Sequence, residues 1–455
     1  MFQGKYYHTV TFGCQMNESD TEVLQGLLEA LGFAPAPDKD QADLLILITC
    51  AVRQKAEDKV ATFLGKLRPW KQEKPGRILA VGGCMSQQEE IAGYIKKKFE
   101  HVDIVFGTEA LYRFPNLLEE AVDKKETVVD IDLKEGPDRE AVSVNRASSF
   151  QAWVPVIYGC NNFCSYCIVP YVRGREKSRN YKEVLREVEY LGQKGYREIT
   201  LLGQNVDAYG KDLPGNCGLA DLLEDLERVE GIERIRFLTS HPRDFNLDII
   251  EAVARLEKVC EHVHLPLQAG SNRLLKKMNR GYTRERYLYL IDSIRDRVKG
   301  VSITTDLIVG YPGETEEDFN ATMEMVEKIR FDAAYTFVYS PRRGTPAAKE
   351  GDTVPPEIKK ERIQTLVEKQ KEIGLEINRQ MEGETCKVLV EGASRENPQK
   401  LTGRTRTNKL VHFEGPPGLE GEIIPVKIVE AKTWHLLGEP VNSGYRDPVP
   451  KRGLW

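Results

Sequence analysis

No stretch of this 455-residue sequence reaches eighteen consecutive apolar residues, and its amino terminus lacks a basic segment followed by an apolar one. Neither a membrane-spanning helix nor a secretory leader is expected. Positive charge is not in excess: 65 Lys and Arg against 70 Asp and Glu leave a net charge of −5. Any contact with nucleic acid must therefore be local rather than a property of the whole surface. Low-complexity tracts are absent, and no fixed-period repeat appears beyond an alternation of strands and helices. Histidine is scarce, at seven residues, and none lies between Cys160 and Arg179. Nine cysteines, an odd number, argue against a disulfide framework and for metal ligation in a reducing compartment, the cytoplasm. With 40% hydrophobic and 30% charged residues the chain reads as globular, and its length calls for about two to four domains.

The patterning divides the chain into three folded regions. In residues 4–122 the β-branched and aliphatic runs HTVTFG, LLILIT, ILAVGG and VDIVFG alternate with segments of helical periodicity. That alternation predicts an open parallel α/β sheet with right-handed crossovers. Residues 123–147 are charged and read as a linker, with one strand at VVDID. Residues 148–378 repeat the alternation at greater length, with strands at VPVIYG, EITLLG, IRFLT, HVHLPL, SITTDLIVG and YTFVYS. Six such units predict a partial β/α barrel, open on one side where a complete barrel has eight. Residues 379–442 turn to short strands punctuated by Gly and Pro, which predicts a small antiparallel β-barrel of the oligonucleotide-binding kind; residues 443–455 form a tail.

Two groups of cysteines carry the chemistry. Cys160, Cys164 and Cys167 lie in YGCNNFCSYC, a C-x3-C-x2-C spacing directly after an apolar strand. Three thiolates in eight residues can hold three corners of a 4Fe–4S cube and leave one iron open, as reductive chemistry on S-adenosylmethionine requires. Zinc would want a fourth Cys or His close by. Cys14, Cys50 and Cys84 each stand just past a first-region strand, in HTVTFGC, LLILITC and AVGGC. Loops after parallel strands share one edge of the sheet, so these three are expected to converge there, beside helix amino termini. The alternatives are three buried structural cysteines, a thiol nucleophile, or structural zinc at this triad. Cys217, Cys260 and Cys386 share no spacing and read as structural.

The block CNNFCSYC resembles the signature of radical S-adenosylmethionine enzymes, with Tyr166 in the aromatic position. TFGCQMNESDTE, TCAVRQKAEDKV, VGGCMSQ, HLPLQAGS, TTDLIVGYPGETEEDF and YSPRRGTPAA are similar to blocks of the methylthiotransferases within that group. GRTRTNKLVHF resembles their carboxyl-terminal TRAM domain. The resemblance spans essentially the whole chain. GCQMN and NKLVHF point to the branch acting on N6-isopentenyl-adenosine at tRNA position 37; the threonylcarbamoyl-adenosine branch tends to read GCKVN and the ribosomal-protein branch GCPKN. One departure is DLIVGYPGE. It keeps Ile308 and Gly310 of the pattern G-x-I-x-G-x-x-E but has Asp306 for the first Gly and Glu314 one position late.

The resemblance implies two 4Fe–4S clusters, an auxiliary one on Cys14, Cys50 and Cys84 that carries sulfur and a second on Cys160, Cys164 and Cys167. At the second, S-adenosylmethionine would be cleaved to a radical that takes hydrogen from the adenine ring, while another S-adenosylmethionine supplies the methyl group. It further implies the tRNA anticodon stem-loop, an electron donor such as flavodoxin or ferredoxin, and a sulfur source as partners of a monomer. Cofactor contacts fall on Tyr166, Gln204, Asp306 and Gly310, and no residue stands out as a general base. Arg173 and Arg175 are candidates for a carboxylate or phosphate. Lys400, Arg404, Arg406 and Lys409, with no acidic residue among them, form the basic patch expected to meet RNA. His241 and His264 read as core or hydrogen-bonded histidines. A non-catalytic iron–sulfur RNA-binding protein is the reading from a different class.

Overall fold

In the computed structural model, residues 2–51, 54–124, 126–134, 144–215, 217–395 and 397–441 are described. Six strands build the first domain: β1 (Tyr6–Thr11), β2 (Ala34–Pro35), β3 (Leu44–Thr49), β4 (Ile78–Gly83), β5 (Ile104–Phe106) and β6 (Val128–Asp130). They are all parallel, in the order β2-β1-β3-β4-β5-β6. Every residue of β3 is buried; Leu44, Ile46 and Ile48 join one helix-covered core and Leu45 and Leu47 the other. Such two-faced burial is why a central parallel strand reads as an unbroken apolar run. The strand order reverses between β1 and β3, the kind of crevice where open α/β sheets bind ligands. Strand β6 forms at the expected VVDID, so this sheet extends into the segment 123–147 read as a linker.

The second domain contains β7 (Gln151–Pro155), β8 (Ile157–Tyr158), β9 (Lys177–Ser178), β10 (Glu198–Leu202), β11 (Arg234–Phe237), β12 (His262–His264), β13 (Ser302–Val309) and β14 (Ala333–Val338). Two parallel three-stranded sheets, β11-β10-β7 and β12-β13-β14, are joined by the bridge Ile235–Val259. The result is the expected six-stranded partial barrel, its edges at β7 and β14. The antiparallel pair β8–β9 lies outside this barrel and clasps the base of the segment carrying Cys160, Cys164 and Cys167.

The helix Pro356–Arg379 packs along β14 and leads to β15 (Thr385–Ala393), β16 (Leu401–Thr405), β17 (Leu410–Phe413), β18 (Ile423–Ala431) and β19 (Leu436–Pro440). These close into a barrel, β15-β16-β17-β19-β18, around Val388, Val390, Val411, Phe413, Val426 and Ile428. The β17–β19 pair is parallel, so the barrel is antiparallel in all but one of its pairs. Among the described residues no helix is long and apolar enough to cross a membrane.

Candidate active site

Cys14, Cys50 and Cys84 follow β1, β3 and β4, three adjacent strands of the first sheet. Their loops press together. Gly13 has φ of +132°, and a Cβ there would fall 2.8 Å from the Cβ of Cys50. The Asn17 amide ties the loops by donating to the carbonyls of Phe12 (2.7 Å) and Thr49 (3.0 Å), and its Oδ1 lies 3.9 Å from the Sγ of Cys84. Cys50 and Cys84 are buried whereas Cys14 is exposed. Burial pushes the Cys84 thiol up to about 12, against the pull of Arg173. Among the described residues no His, Cys, Asp or Glu group closes around a single metal ion. A four-iron cube sets each thiolate on a different iron, so its ligands stand further apart than those around one ion.

The second triad sits in the segment clasped by β8 and β9. Gly159 has φ of +72°, and a Cβ would lie 2.0 Å from the Arg175 carbonyl, so only glycine lets the two limbs approach. The Cys160 amide donates to Gly174 O (3.1 Å) and the Cys167 amide to Cys164 O (2.9 Å). Burial raises the thiols of Cys160 to about 11 and Cys167 to about 12. Cys84, Cys160 and Cys167 thus hold their protons until a metal displaces them.

One residue missed from the sequence commands this site. Arg280, buried, donates from Nη1 to the Sγ of Cys164 (3.2 Å) and the Oη of Tyr166 (3.3 Å), and from Nη2 to Pro266 O (3.0 Å). It stands in KKMNRGYT, 116 residues beyond Cys164, and nothing local marks it as different from other basic residues.

The segments carrying the two triads pack together across one seam. Ile168, next to Cys167, and Val172 pack with Ala51 and Cys84 in a small buried cluster. Thr108 of the first domain donates to the Val172 carbonyl (2.7 Å). Arg173 does not face a surface open to phosphate or carboxylate ligands. It is buried, with Nη2 donating to Asp20 (2.6 Å) and Asn17 (2.8 Å) and Nε to the Sγ of Cys84 (3.2 Å). Arg175 is exposed and lies over the Phe163 ring at 4.4 Å.

At the carboxyl ends of the barrel strands, several buried polar atoms have no hydrogen-bond partner among the described residues: Gln204 Oε1, Asn205 Oδ1, His241 Nε2 and Gln268 Oε1. Buried groups of this kind are normally satisfied, so these suit a polar ligand beside Tyr166. His241 accepts the Arg243 amide at Nδ1 (3.2 Å), which leaves its proton on the unpartnered Nε2. Burial and Arg280 keep the ring neutral. It is the core, hydrogen-bonded histidine expected from the sequence, with one ring nitrogen left unpartnered among the described residues. Asp306 is part-exposed, with one oxygen 3.6 Å from His264 Nε2; Nδ1 of His264 contacts Thr304 Oγ1 (3.0 Å). Gly310 has φ of +72°, and its amide donates to Glu314 (2.7 Å). Glu314 therefore works as a turn cap, paired with Arg362 (2.8 Å).

Asp207 nearby accepts from Ser240 Oγ (2.9 Å) and the His241 amide (2.7 Å). Burial pushes its carboxyl up to about 8, helped by Asp244 and opposed by Lys211. With the folded value above the unfolded one, its stabilising effect is full below about pH 4 and lost as pH rises through about 8. Asp207→Asn is expected to gain on the wild type by roughly 1.4 kcal/mol per pH unit across that window. Urea midpoints along a pH series measure it.

The basic hairpin differs most from expectation. Arg406 pairs with Glu261 of the barrel (2.6 Å) and donates to Val259 O (2.7 Å); Lys409 pairs with Asp332 (2.6 Å) and Arg404 with Glu391 (3.0 Å). In return, Arg234 and Arg236 of β11 donate to the carbonyls of Lys387, Arg404, Thr405 and Arg406. Arg234, Arg236, Arg406 and Lys409 dock the small barrel on the strand starts of the large one, whereas the Arg404–Glu391 pair lies within the small barrel. Lys400 lies at the surface beside Asn397, Gln399 and Glu414, and the Arg404 side chain is also partly exposed. Arg406→Ala is expected to weaken the docking by about 1–2 kcal/mol, allowing for partial exposure of the pair. Hydrogen exchange in β16 and β17 should rise, while the salt dependence of RNA binding stays unchanged, since no phosphate contact is lost.

Known families match all three domains: the Radical SAM superfamily over residues 154–326, the Uncharacterized protein family UPF0004 over 6–107, and the TRAM domain over 379–441. The chain is 52% identical over 434 residues to the tRNA-2-methylthio-N(6)-dimethylallyladenosine synthase of Carboxydothermus hydrogenoformans, covering 95% of this chain and 99% of that one. It is 53% identical over 438 residues to the protein of the same name from Acetivibrio thermocellus, covering 96% and 91%. In fold it is similar to the radical S-adenosylmethionine methyltransferase TsrM of Kitasatospora setae with cobalamin and a 4Fe–4S cluster bound. There the TM-score is 0.54 at 14% identity, over 87% of this chain and 78% of that one. Membership of the Radical SAM superfamily implies a 4Fe–4S cluster and S-adenosylmethionine for the barrel. Similarity at this level along nearly the entire length of both chains means that the protein belongs to the radical S-adenosylmethionine methylthiotransferases, with the tRNA-2-methylthio-N(6)-dimethylallyladenosine synthases as its relatives.

Proposed function

We propose that the protein converts N6-isopentenyl-adenosine at tRNA position 37 to its 2-methylthio derivative. Cys160, Cys164 and Cys167 hold one 4Fe–4S cluster, and Cys14, Cys50 and Cys84 hold an auxiliary one. When bound, the clusters and S-adenosylmethionine supply the radical, the sulfur and the methyl group, which acid–base chemistry at an unactivated C–H bond does not provide. The observation that carries this reading is the seam where Ile168 and Val172, on the segment of Cys167, pack against Ala51 and Cys84 of the first domain.

The chain's own residues bind, orient and exclude water. Arg280 neutralises thiolate charge at Cys164 and fixes Tyr166. The unpartnered atoms of Gln204 and His241 supply an acceptor and a donor for the adenosyl cofactor, and Asp306 lines the same rim. The docked small barrel, with Lys400 at its surface, offers a face for the anticodon stem-loop. A flavodoxin or ferredoxin gives the electron, a separate source renews the sulfur, and the monomer works in the cytoplasm.

Anaerobic incubation of the reconstituted protein with isopentenylated tRNA, dithionite and S-adenosylmethionine tests the proposal. The 2-methylthio nucleoside should appear by mass spectrometry, together with 5′-deoxyadenosine. Neither product, with both clusters intact, is the result that defeats it; threonylcarbamoylated tRNA run in parallel should stay unmodified.

A further inference from the structure

Arg173 lies six residues beyond Cys167, on the clasped segment of the second triad, yet all its side-chain partners belong to the first domain. We propose that this guanidinium couples the two centres: it donates an N–H···S bond to a ligand of the auxiliary cluster, raising that cluster's reduction potential and fixing it relative to the other. The inference rests on the reading that Cys14, Cys50 and Cys84 hold a cluster.

The geometry is specific. Nη1 and Nη2 grip the two oxygens of Asp20 at 3.4 and 2.6 Å, and Nη2 also meets Asn17 Oδ1 at 2.8 Å. That fork anchors the plane and leaves Nε turned to the Sγ of Cys84 at 3.2 Å. An ion pair serving only to dock the domains has no need of the sulfur. The site is closed, with Arg173 8% exposed and Cys84 7%, so the cation acts without water to screen it. Hydrogen bonds and positive charge at a cluster sulfur stabilise the added electron. The barrel offers a parallel, since Arg280 donates to Cys164 at the same 3.2 Å. There the donor comes from the cluster's own domain, whereas Arg173 crosses between domains, so a shift of one loop is felt at the other centre.

The sign of the effect separates electrostatics from damage. In full-length reconstituted protein, potentials of both clusters are read by electron paramagnetic resonance during redox titration. Arg173→Gln should lower the auxiliary potential until that cluster is at least tenfold less reduced at the wild-type midpoint, a 59 mV change for one electron. Arg173→Lys should fall between the two. Asp20→Asn, which keeps the cation but removes its counter-charge, should move the potential upward. The other cluster should not move, and iron should stay at about eight per chain, four per cube. Unchanged potentials in all variants, or shifts of the same sign for Arg173→Gln and Asp20→Asn, overturn the proposal. Only about four irons in the wild type would instead overturn the two-cluster reading on which it stands.

Discussion

Replacing Cys14, Cys50 and Cys84 together by alanine is expected to leave S-adenosylmethionine cleavage in place while methylthiolation falls more than roughly 10³-fold, the scale of losing a group on which the chemical step depends. Iron should drop from about eight to about four per chain. The same substitution at Cys160, Cys164 and Cys167 should remove both activities, because no radical is made without that cluster. The asymmetry follows from the placement of the triads. One sits at the mouth of the barrel with Tyr166 and Arg280, the other across the seam on the edge of a separate sheet. Counting 5′-deoxyadenosine and methylthio nucleoside in the same reactions reads both effects.

Arg362→Met is expected to destabilise the barrel domain by about 3–5 kcal/mol, since it strands Glu314 as a buried carboxylate. Glu314 is 1% exposed and Arg362 7%, with Nη1 on Oε2 at 2.8 Å. The same oxygen receives the Gly310 amide, which ends β13 just past Asp306. Burial already raises the Glu314 carboxyl, and loss of Arg362 raises it further. Stabilisation tied to a raised carboxyl is present at low pH and lost as pH rises, so the defect should shrink in acid. Adding Glu314→Gln should recover most of the loss. Urea unfolding of the single and double variants measures this, and a raised KM for S-adenosylmethionine should accompany the single one.

What the sequence displayed well were features written in short spans. The apolar runs ending in Cys14, Cys50 and Cys84 specify parallel strands, and parallel strands share an edge, so convergence follows from topology before any coordinate is known. The six barrel strands and the C-x3-C-x2-C segment were legible for the same reason. Features set by distant partners were not. Arg173 meets Cys84 across 89 positions, and Arg406 meets Glu261 across 145. A run of basic residues looks alike whether it awaits phosphate or already pairs with carboxylates from another domain. The parallel β17–β19 pair was hidden too, because strand periodicity fixes which face is buried but not which neighbour lies alongside.

Two iron–sulfur centres that share one interior should couple magnetically. Electron paramagnetic resonance of the dithionite-reduced, reconstituted protein tests it most directly. Spin–spin broadening should be seen in the wild type and vanish when either cysteine triad is replaced. A wild-type spectrum equal to the plain sum of the two triad variants would contradict it.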